Sequence, residues 1–547
     1  MASVKFPRKE FEKHMKLNPE IEKKISMFGT NLESISENEI ELEILPNRPD
    51  LLSLEGFMRS FKAFIGKSSE IKYRIKANEK NKFVKVENSV SSVRPYTVCA
   101  IVKKLSFDED KIKGIIDLQE KLHSTLGRNR KKIAIGIYPL DKISFPIKFE
   151  ARKPEEIRFK PLEYDREMSG REILQKHPTG KEFAHLLQGE LYPVFVDSKE
   201  NILSMPPIIN SNETGRVTTS TKEVFVECSG SDLNSLKKTL NIIVTTLADM
   251  GGEINAVEVR YDKEKIITPN LSPDKIKVSL ENINSLLGIE LSEKELSKLL
   301  PKMGHEYSKG NVSVPAWRTD ILHEVDVIED VAIAYGYENI VPEIPQISTI
   351  GEESEMSIFK KSVSNLLVGL GFDEISSFHL VKPDEIALAG IPEKYRLELE
   401  NSKTEYKFLR PNLMIAAMRT FAGNKDNEYP QRIFEMGTVF TPEESEKSGI
   451  KETENLVIAC SPSNFTEIKQ VLDYILKITG LEYTLKESNS PGFIDGRTAS
   501  IIVGKKSIGY FGEIHPETLR NWNIKMPVSA LEISLNDLYN LVRNQPK

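Results

Sequence analysis

Pro315-Ala-Trp-Arg-Thr-Asp-Ile-Leu-His-Glu-Val-Asp-Val-Ile-Glu-Asp-Val-Ala-Ile-Ala-Tyr-Gly-Tyr337 sets carboxylates beside a run of regularly spaced apolar residues. Leu322, Val325, Ile328, Ala332 and Tyr335 recur at helical spacing, which predicts an amphipathic helix with these residues on its buried stripe. At about 100° per residue, Asp326, Glu329 and Asp330 fall along one border of that stripe, with Asp320 just upstream and Glu324 on another side. Such a cluster reads in two ways. It is a solvated acidic face, or it is a hard-oxygen site for a cation such as Mg²⁺, which takes one or two carboxylates directly and keeps several waters.

Around this segment lie 547 residues, too many for one core, and ordinary domain sizes suggest about three or four. Charged residues make up 29% and hydrophobic ones 39%, a globular balance. A net charge of −6 argues against nucleic-acid binding by bulk electrostatics, so any RNA contact must come from a local basic patch. Arg128, Arg130, Lys131 and Lys132 form one such cluster, read either as a solvated turn or as a contact for RNA phosphate. Cys99, Cys228 and Cys460 are scattered without paired spacing, which fits a reducing cytoplasm. The N-terminus lacks a signal-peptide core, and no run of about 18 apolar residues predicts a membrane span.

Four segments are expected. Residues 1–85 read as a small α+β module, with the alternating strand Ile40–Ile44, a turn at 45–50 in which Asp50 caps the next helix, and a polar linker from Lys76 to Lys82. Residues 90–260 mix strands at Tyr96–Lys103, Ile133–Ile137, Tyr192–Val196 and Val224–Cys228 with helices near Ile115–Leu126 and Leu233–Met250. The polar, proline-marked stretch from Glu150 to Leu162 is expected to be an extended loop. Residues 268–345 form a compact module in which Ser292-Glu-Lys-Glu295 is a capping box and the acidic helix comes last. Residues 350–547 begin with a helix from Met356 to Leu370 and continue as strands. In that last segment Arg419, Arg432 and Arg497 lie in no ATP-binding pattern, and no glycine-rich phosphate loop occurs.

The acidic stretch from Arg318 to Tyr337 resembles, nearly residue for residue, a segment of the β subunits of phenylalanyl-tRNA synthetases. Pro46-Asn-Arg-Pro-Asp-Leu-Leu-Ser-Leu-Glu-Gly56 looks like the N-terminal module of that family. Ile433-Phe-Glu-Met-Gly-Thr-Val-Phe440 and Ile508-Gly-Tyr-Phe-Gly-Glu-Ile-His-Pro516 are similar to its C-terminal domain. Ala134-Ile-Gly-Ile-Tyr-Pro-Leu-Asp141, the loop Leu203–Thr219 and Phe225-Val-Glu-Cys-Ser-Gly-Ser-Asp232 resemble the proofreading domain of the archaeal and eukaryotic type.

The resemblance implies a multidomain α+β chain: an N-terminal module, a proofreading domain, a small helical metal-site module, and a class II synthetase-like antiparallel sheet domain without an activation site. It implies an α₂β₂ heterotetramer that attaches phenylalanine to tRNA(Phe), with ATP bound by the α subunit. It also implies a Mg²⁺ site on Asp320, Asp326, Glu329 and Asp330.

An apolar activation pocket cannot strongly reject tyrosine, which is phenylalanine plus a hydroxyl, so a second pocket must hydrolyse mischarged Tyr-tRNA. The resemblance puts recognition of that hydroxyl on Glu227, supported by Ser204, with Phe195 and Asn210 lining the site. The chain departs from the family at Tyr138-Pro139, where His-Asp is usual, a change that bears on hydrolysis. With no nucleophilic triad in sight and Cys228 read as a core residue, hydrolysis is expected to use an oriented water. Two other readings stay open, a free-standing aminoacyl-tRNA deacylase and a catalytically silent scaffold.

Overall fold

The computed structural model describes residues 2–67, 72–344 and 350–545. It divides into two compact units, Met1–Ile344 and Pro345–Lys547. Among the described residues no helix is long and apolar enough to cross a membrane.

The first unit opens with a three-stranded antiparallel sheet in which Glu39–Ile44 lies between Ala2–Pro7 and Asn31–Ile35. Its alternation is the reason: Ile40, Leu42 and Ile44 are buried while Glu39, Glu41 and Glu43 stay at the other face. Helix Leu54–Phe64 closes the module by bringing Phe57 and Phe61 against Phe28. Contrary to the expectation from the turn, Asp50 does not cap this helix. Its carboxylate accepts from Arg48 Nε and Nη2, each at 2.9 Å, and Ser53 takes the capping role by accepting from Gly56 N–H.

An eleven-stranded sheet follows among the described residues. Its main path runs Ile209–Asn210, Ile202–Met205, Tyr192–Val196, Ile147–Arg152, Phe83–Val86, Glu253–Arg260, Tyr96–Lys103, Val224–Gly230 and Ile133–Pro139. The last two strands are buried along their whole length, which is why they read as near-continuous apolar runs.

Two expectations need correcting here. Phe83–Val86 is an interior strand and Ile75–Lys76 pairs in parallel with Ile254–Asn255, so the segment taken as a linker joins two strands of this sheet and 85 is no boundary. Glu150–Arg152 likewise belongs to strand Ile147–Arg152, not to a loop. Both strands are short, and lysines and glutamates on their outer positions give them the polarity of a connection.

Residues 274–339 form a three-stranded sheet with helices Leu280–Leu287, Glu293–Leu299 and Glu324–Tyr335. The Ser292–Glu295 capping box is present. The acidic helix buries Val327, Ile328, Val331, Ala332 and Ala334, a stripe rotated from the expected one. Leu322 and Val325 are 85% and 51% exposed. Leu322 lies before the helix, which starts at Glu324 under a cap from His323 and Asp326, so the first-turn Val325 faces away from the core.

The three expected segments do not remain separate, because one apolar cluster runs through Phe11, Phe57, Leu240, Trp317 and Ala334.

The second unit carries a seven-stranded sheet. Gln431–Pro442, Ile450–Ser461, Ser529–Ser534, Lys506–Ile514, Phe493–Val503 and Thr484–Glu487 pair antiparallel in that order, and Asp373–Glu374 adds a parallel edge. Period-two alternation feeds two cores. Phe434, Leu456 and Ile458 meet helices Glu355–Gly369, Phe465–Ile478 and Leu535–Arg543 on one face. Ile433, Val457 and Ala459 meet helix Met414–Gly423 on the other. The boundary expected at 345–350 falls on 345–349, outside the described residues.

Candidate functional site

Three strands of the large sheet bring the expected recognition residues together. Glu227 lies on Val224–Gly230, opposite Gly136. Ser204 lies on Ile202–Met205, opposite Asn210, so the hairpin 202–210 presents both side chains at one place. What they meet is the phenol of Tyr138. Its hydroxyl donates to Ser204 Oγ at 2.8 Å and lies 3.2 Å from Glu227 Oε1 and 3.5 Å from Asn210 Oδ1.

Three members of this cluster are buried, and Asn210 stands half-buried at its edge. Tyr138 is 0% exposed, and Ser204 and Glu227 are each 1% exposed. Burial strips water from the Glu227 carboxyl and pushes its pKa up to about 8, although the Arg94 guanidinium and the Tyr138 hydroxyl pull the other way. Near neutral pH the group is therefore mostly a carboxylic acid, and among the described residues its Oε2 has no hydrogen-bond partner. Arg94 is itself anchored to Ser229, through Oγ at 3.1 Å and the carbonyl oxygen at 2.6 Å.

Gly136 makes the arrangement possible. A Cβ there would stand 2.2 Å from the Tyr138 hydroxyl and 2.5 Å from Glu227 Oε1.

Beside the cluster opens a cavity of about 380 Å³, lined among others by Glu227, Asn210, His123, Arg130, His177 and Phe183. His177 leaves its Nδ1 buried without a hydrogen-bond partner among the described residues. Arg130 is committed to the fold: it pairs with Glu120 at 2.9 Å, donates to the Ile208 carbonyl at 2.8 Å and covers the Phe183 ring at 4.4 Å. Lys132 pairs with Asp232. Phe195, expected to line the site, stands opposite Ser204 in register but is buried in the core, its ring stacked on Phe149 at 4.3 Å. Cys99 and Cys228 are buried and their thiols are pushed up by burial, so neither offers a thiolate.

Sequence reasoning placed Glu227, Ser204 and Asn210 but did not see Tyr138 at their meeting point, nor Arg94, Gly136 and His177 around them. One signal was present. Residues 136 and 138 share a strand face, so whatever side chain Gly136 accommodates must come from its own neighbour or from the strand opposite.

The acidic residues of the 274–339 module are near one another but differently employed. Arg318 holds Asp320 through two hydrogen bonds, at 2.8 and 2.7 Å, and reaches Asp330 at 2.8 Å. Asp330 also faces His305 Nε2 at 2.6 Å. Despite burial, its pKa falls to about 2, mainly through the Arg318 charge. Asp326 accepts from the backbone N–H groups of Leu322 and His323 at 2.7 and 2.8 Å. Glu329 is raised by partial burial and by the charges of Asp330, Asp320 and Asp326.

These residues do not fit a preassembled magnesium site. Asp320 and Asp330 share the Arg318 guanidinium and Asp326 is spent on two backbone N–H groups, so three of the four carboxylates are already engaged. Among the described residues no group of three or more His, Cys, Asp or Glu side chains is placed to hold a metal.

In the second unit Arg410, Arg419 and Arg497 are also engaged, while among the described residues Arg432 reaches only the Leu370 carbonyl, at 3.5 Å. Arg410 and Glu435 form a buried pair at 2.7 Å, and Arg419 grips Glu385 through two bonds, at 2.5 and 2.6 Å. Arg497 pairs with Glu513.

Residues 340–535 match the family model described as the phenylalanyl tRNA synthetase beta chain CLM domain, and residues 276–337 match the tRNA synthetase B5 domain. A phenylalanine–tRNA ligase beta subunit of Thermococcus sibiricus is 42% identical over 502 residues, 90% of each chain. That of Archaeoglobus fulgidus is 38% identical over 529 residues, 94% of each chain. The crystal structure of an N-terminal fragment of the phenylalanyl-tRNA synthetase beta subunit from Pyrococcus horikoshii superposes with a TM-score of 0.59 at 40% identity, covering 61% of this chain and 99% of the fragment. With relatives this similar along nearly its whole length, the chain belongs to the phenylalanine–tRNA ligase β-subunit family.

Proposed function

We propose that the chain works in the cytoplasm as the β subunit of a phenylalanine–tRNA ligase, joined to a separate α chain that binds ATP and activates phenylalanine, the two assembling as α₂β₂ around tRNA(Phe). The observation that carries this division of labour is the state of the C-terminal basic residues. Arg410 is buried against Glu435 and Arg419 commits Nε and Nη2 to Glu385, so neither presents an unpaired guanidinium fork to an ATP phosphate. No step of this reading passes through a metal on the acidic helix.

We assign proofreading to the first unit, at the Glu227, Ser204 and Asn210 constellation. A mostly neutral carboxyl, a hydroxyl and an amide oxygen are suited to a phenol hydroxyl, and in this chain the phenol they meet is that of Tyr138. Hydrolysis would proceed by water adding to the tyrosyl ester carbonyl, with the bond to the ribose oxygen breaking and tyrosine and tRNA leaving.

The test is ATP–pyrophosphate exchange by this chain with and without the α chain, alongside the native mass of the pair. Exchange only in the pair, at the mass of two of each chain, supports the reading. Robust exchange by this chain alone overturns it, and a lone chain that deacylates tRNA without an α partner favours the free-standing hydrolase.

A further inference from the structure

The chain answers its own recognition question. Ser204 Oγ, Glu227 Oε1 and Asn210 Oδ1 converge on a single point, and a phenol oxygen already occupies it, that of Tyr138. We propose that Tyr138 fills the hydroxyl-recognition position of this chain's proofreading pocket, so that the wild-type protein does not tell a tyrosyl from a phenylalanyl group there and clears Tyr-tRNA slowly. The proposal rests on the proofreading reading of the first unit.

Two independent observations support it. Access is the first: Ser204 is 1% exposed and does not border the neighbouring cavity, so an incoming hydroxyl reaches it only if the Tyr138 ring leaves. Space is the second. The Tyr138 hydroxyl and Cε2 lie 2.2 and 2.7 Å from where a Gly136 Cβ would stand, so the glycine's room is consumed by this ring and none is left for a second one. The cavity of about 380 Å³ lies beside the cluster, touching Glu227 and Asn210 but neither Tyr138 nor Ser204. A substrate side chain seated there reaches only part of the constellation.

Removing the ring should hand the position back to a ligand. Tyr138→Ala in the full chain is tested for binding of p-cresol, which has the tyrosine side chain's shape and hydroxyl, against toluene, which lacks the hydroxyl. We expect p-cresol to raise the melting temperature of Tyr138→Ala but not of wild type, toluene to act more weakly, and the added substitution Glu227→Gln to abolish the preference. In the complex with the α chain, Tyr138→Ala should deacylate Tyr-tRNA about tenfold faster than wild type, the scale of discrimination one buried polar contact provides.

The arms separate the two layers of the argument. Glu227-dependent p-cresol binding without deacylation by either form upholds the filled position and refutes hydrolysis in this domain. Failure of p-cresol to bind a folded Tyr138→Ala overturns the filled position. Tyr138→Phe guards against a variant that does not fold: unchanged slow clearance supports a ring that blocks. Rapid wild-type clearance that Tyr138→Phe abolishes overturns the proposal and makes the phenol part of the reader.

Discussion

Arg318 and Asp330 form a buried ion pair, with Nη2 2.8 Å from Oδ2 and side-chain exposures of 2% and 5%. Arg318→Ala leaves the buried Asp330 and Asp320 without their cation and should cost about 3–5 kcal/mol, whereas Asp330→Ala leaves Arg318 paired with Asp320 and should cost less. Asp330 is held at about 2, below its ordinary value of 3.8, so its contribution is complete above 3.8 and disappears as pH falls through about 2. Urea unfolding of both variants at pH 7 reads the loss. Chelator should leave the melting temperature of the isolated chain unchanged, because the guanidinium already supplies the positive charge; a fall of several degrees would show that a cation is needed.

Much of the fold was legible from apolar alternation, since strands 96–103, 133–139, 192–196 and 224–230 are long and strongly patterned. The misreadings share a cause. Phe83–Val86 and Ile147–Arg152 expose lysines or glutamates on their outer positions, and only pairing with distant strands distinguishes them from connections. The acidic helix was placed, but its start under a His323 cap and the burial of Val327 and Val331 in place of Val325 depend on packing against Ile283, Leu296 and Val312, which spacing does not reveal. The site was half legible. Glu227, Ser204 and Asn210 came from resemblance, whereas the placement of Tyr138 among them depends on sheet register. The use of Arg318 against Asp330 depends on how a loop returns to a helix. Neither is written in local sequence.

The Arg410 and Glu435 pair should behave as structure and not as part of an ATP site. Arg410 also donates to the Thr438 carbonyl at 2.8 Å and to Ser377 Oγ at 2.8 Å, which ties three segments of the second unit together. Arg410→Ala is expected to destabilise the chain by about 3–5 kcal/mol. At a temperature where the variant is folded, the ligase complex should keep its KM for ATP. A KM for ATP raised tenfold with the fold intact would contradict the assignment.

Glu227 gives the chain a stability that depends on pH. Its pKa rises from 4.5 to about 8 on folding, so the folded form prefers the proton. The stabilising contribution is complete below 4.5 and declines as pH rises, until the carboxyl ionises in the fold at about 8. Glu227→Gln keeps the neutral shape and cannot ionise. The variant should therefore match wild type near pH 4.5 and become progressively more stable than it up to pH 8, with a flat difference above. Unfolding midpoints taken across that range test this, and a constant difference at all pH values would refute a buried, proton-holding Glu227.

Gly136 and Tyr138 should be energetically coupled. A methyl group at 136 would overlap the Tyr138 hydroxyl at 2.2 Å and press on Glu227 Oε1 at 2.5 Å. Tyr138 is fully buried among strands that cannot separate, so Gly136→Ala is expected to cost about 1–3 kcal/mol through overpacking. Tyr138→Ala opens a cavity and should cost about 3–5 kcal/mol by itself. Combined, the two should cost less than their sum by about 1–3 kcal/mol, since the methyl then enters space the ring has left. A double-mutant cycle from chemical unfolding measures this directly. Additive costs would mean that the phenol does not press on Gly136 in solution, and would remove the steric half of the argument that Tyr138 holds the recognition position closed.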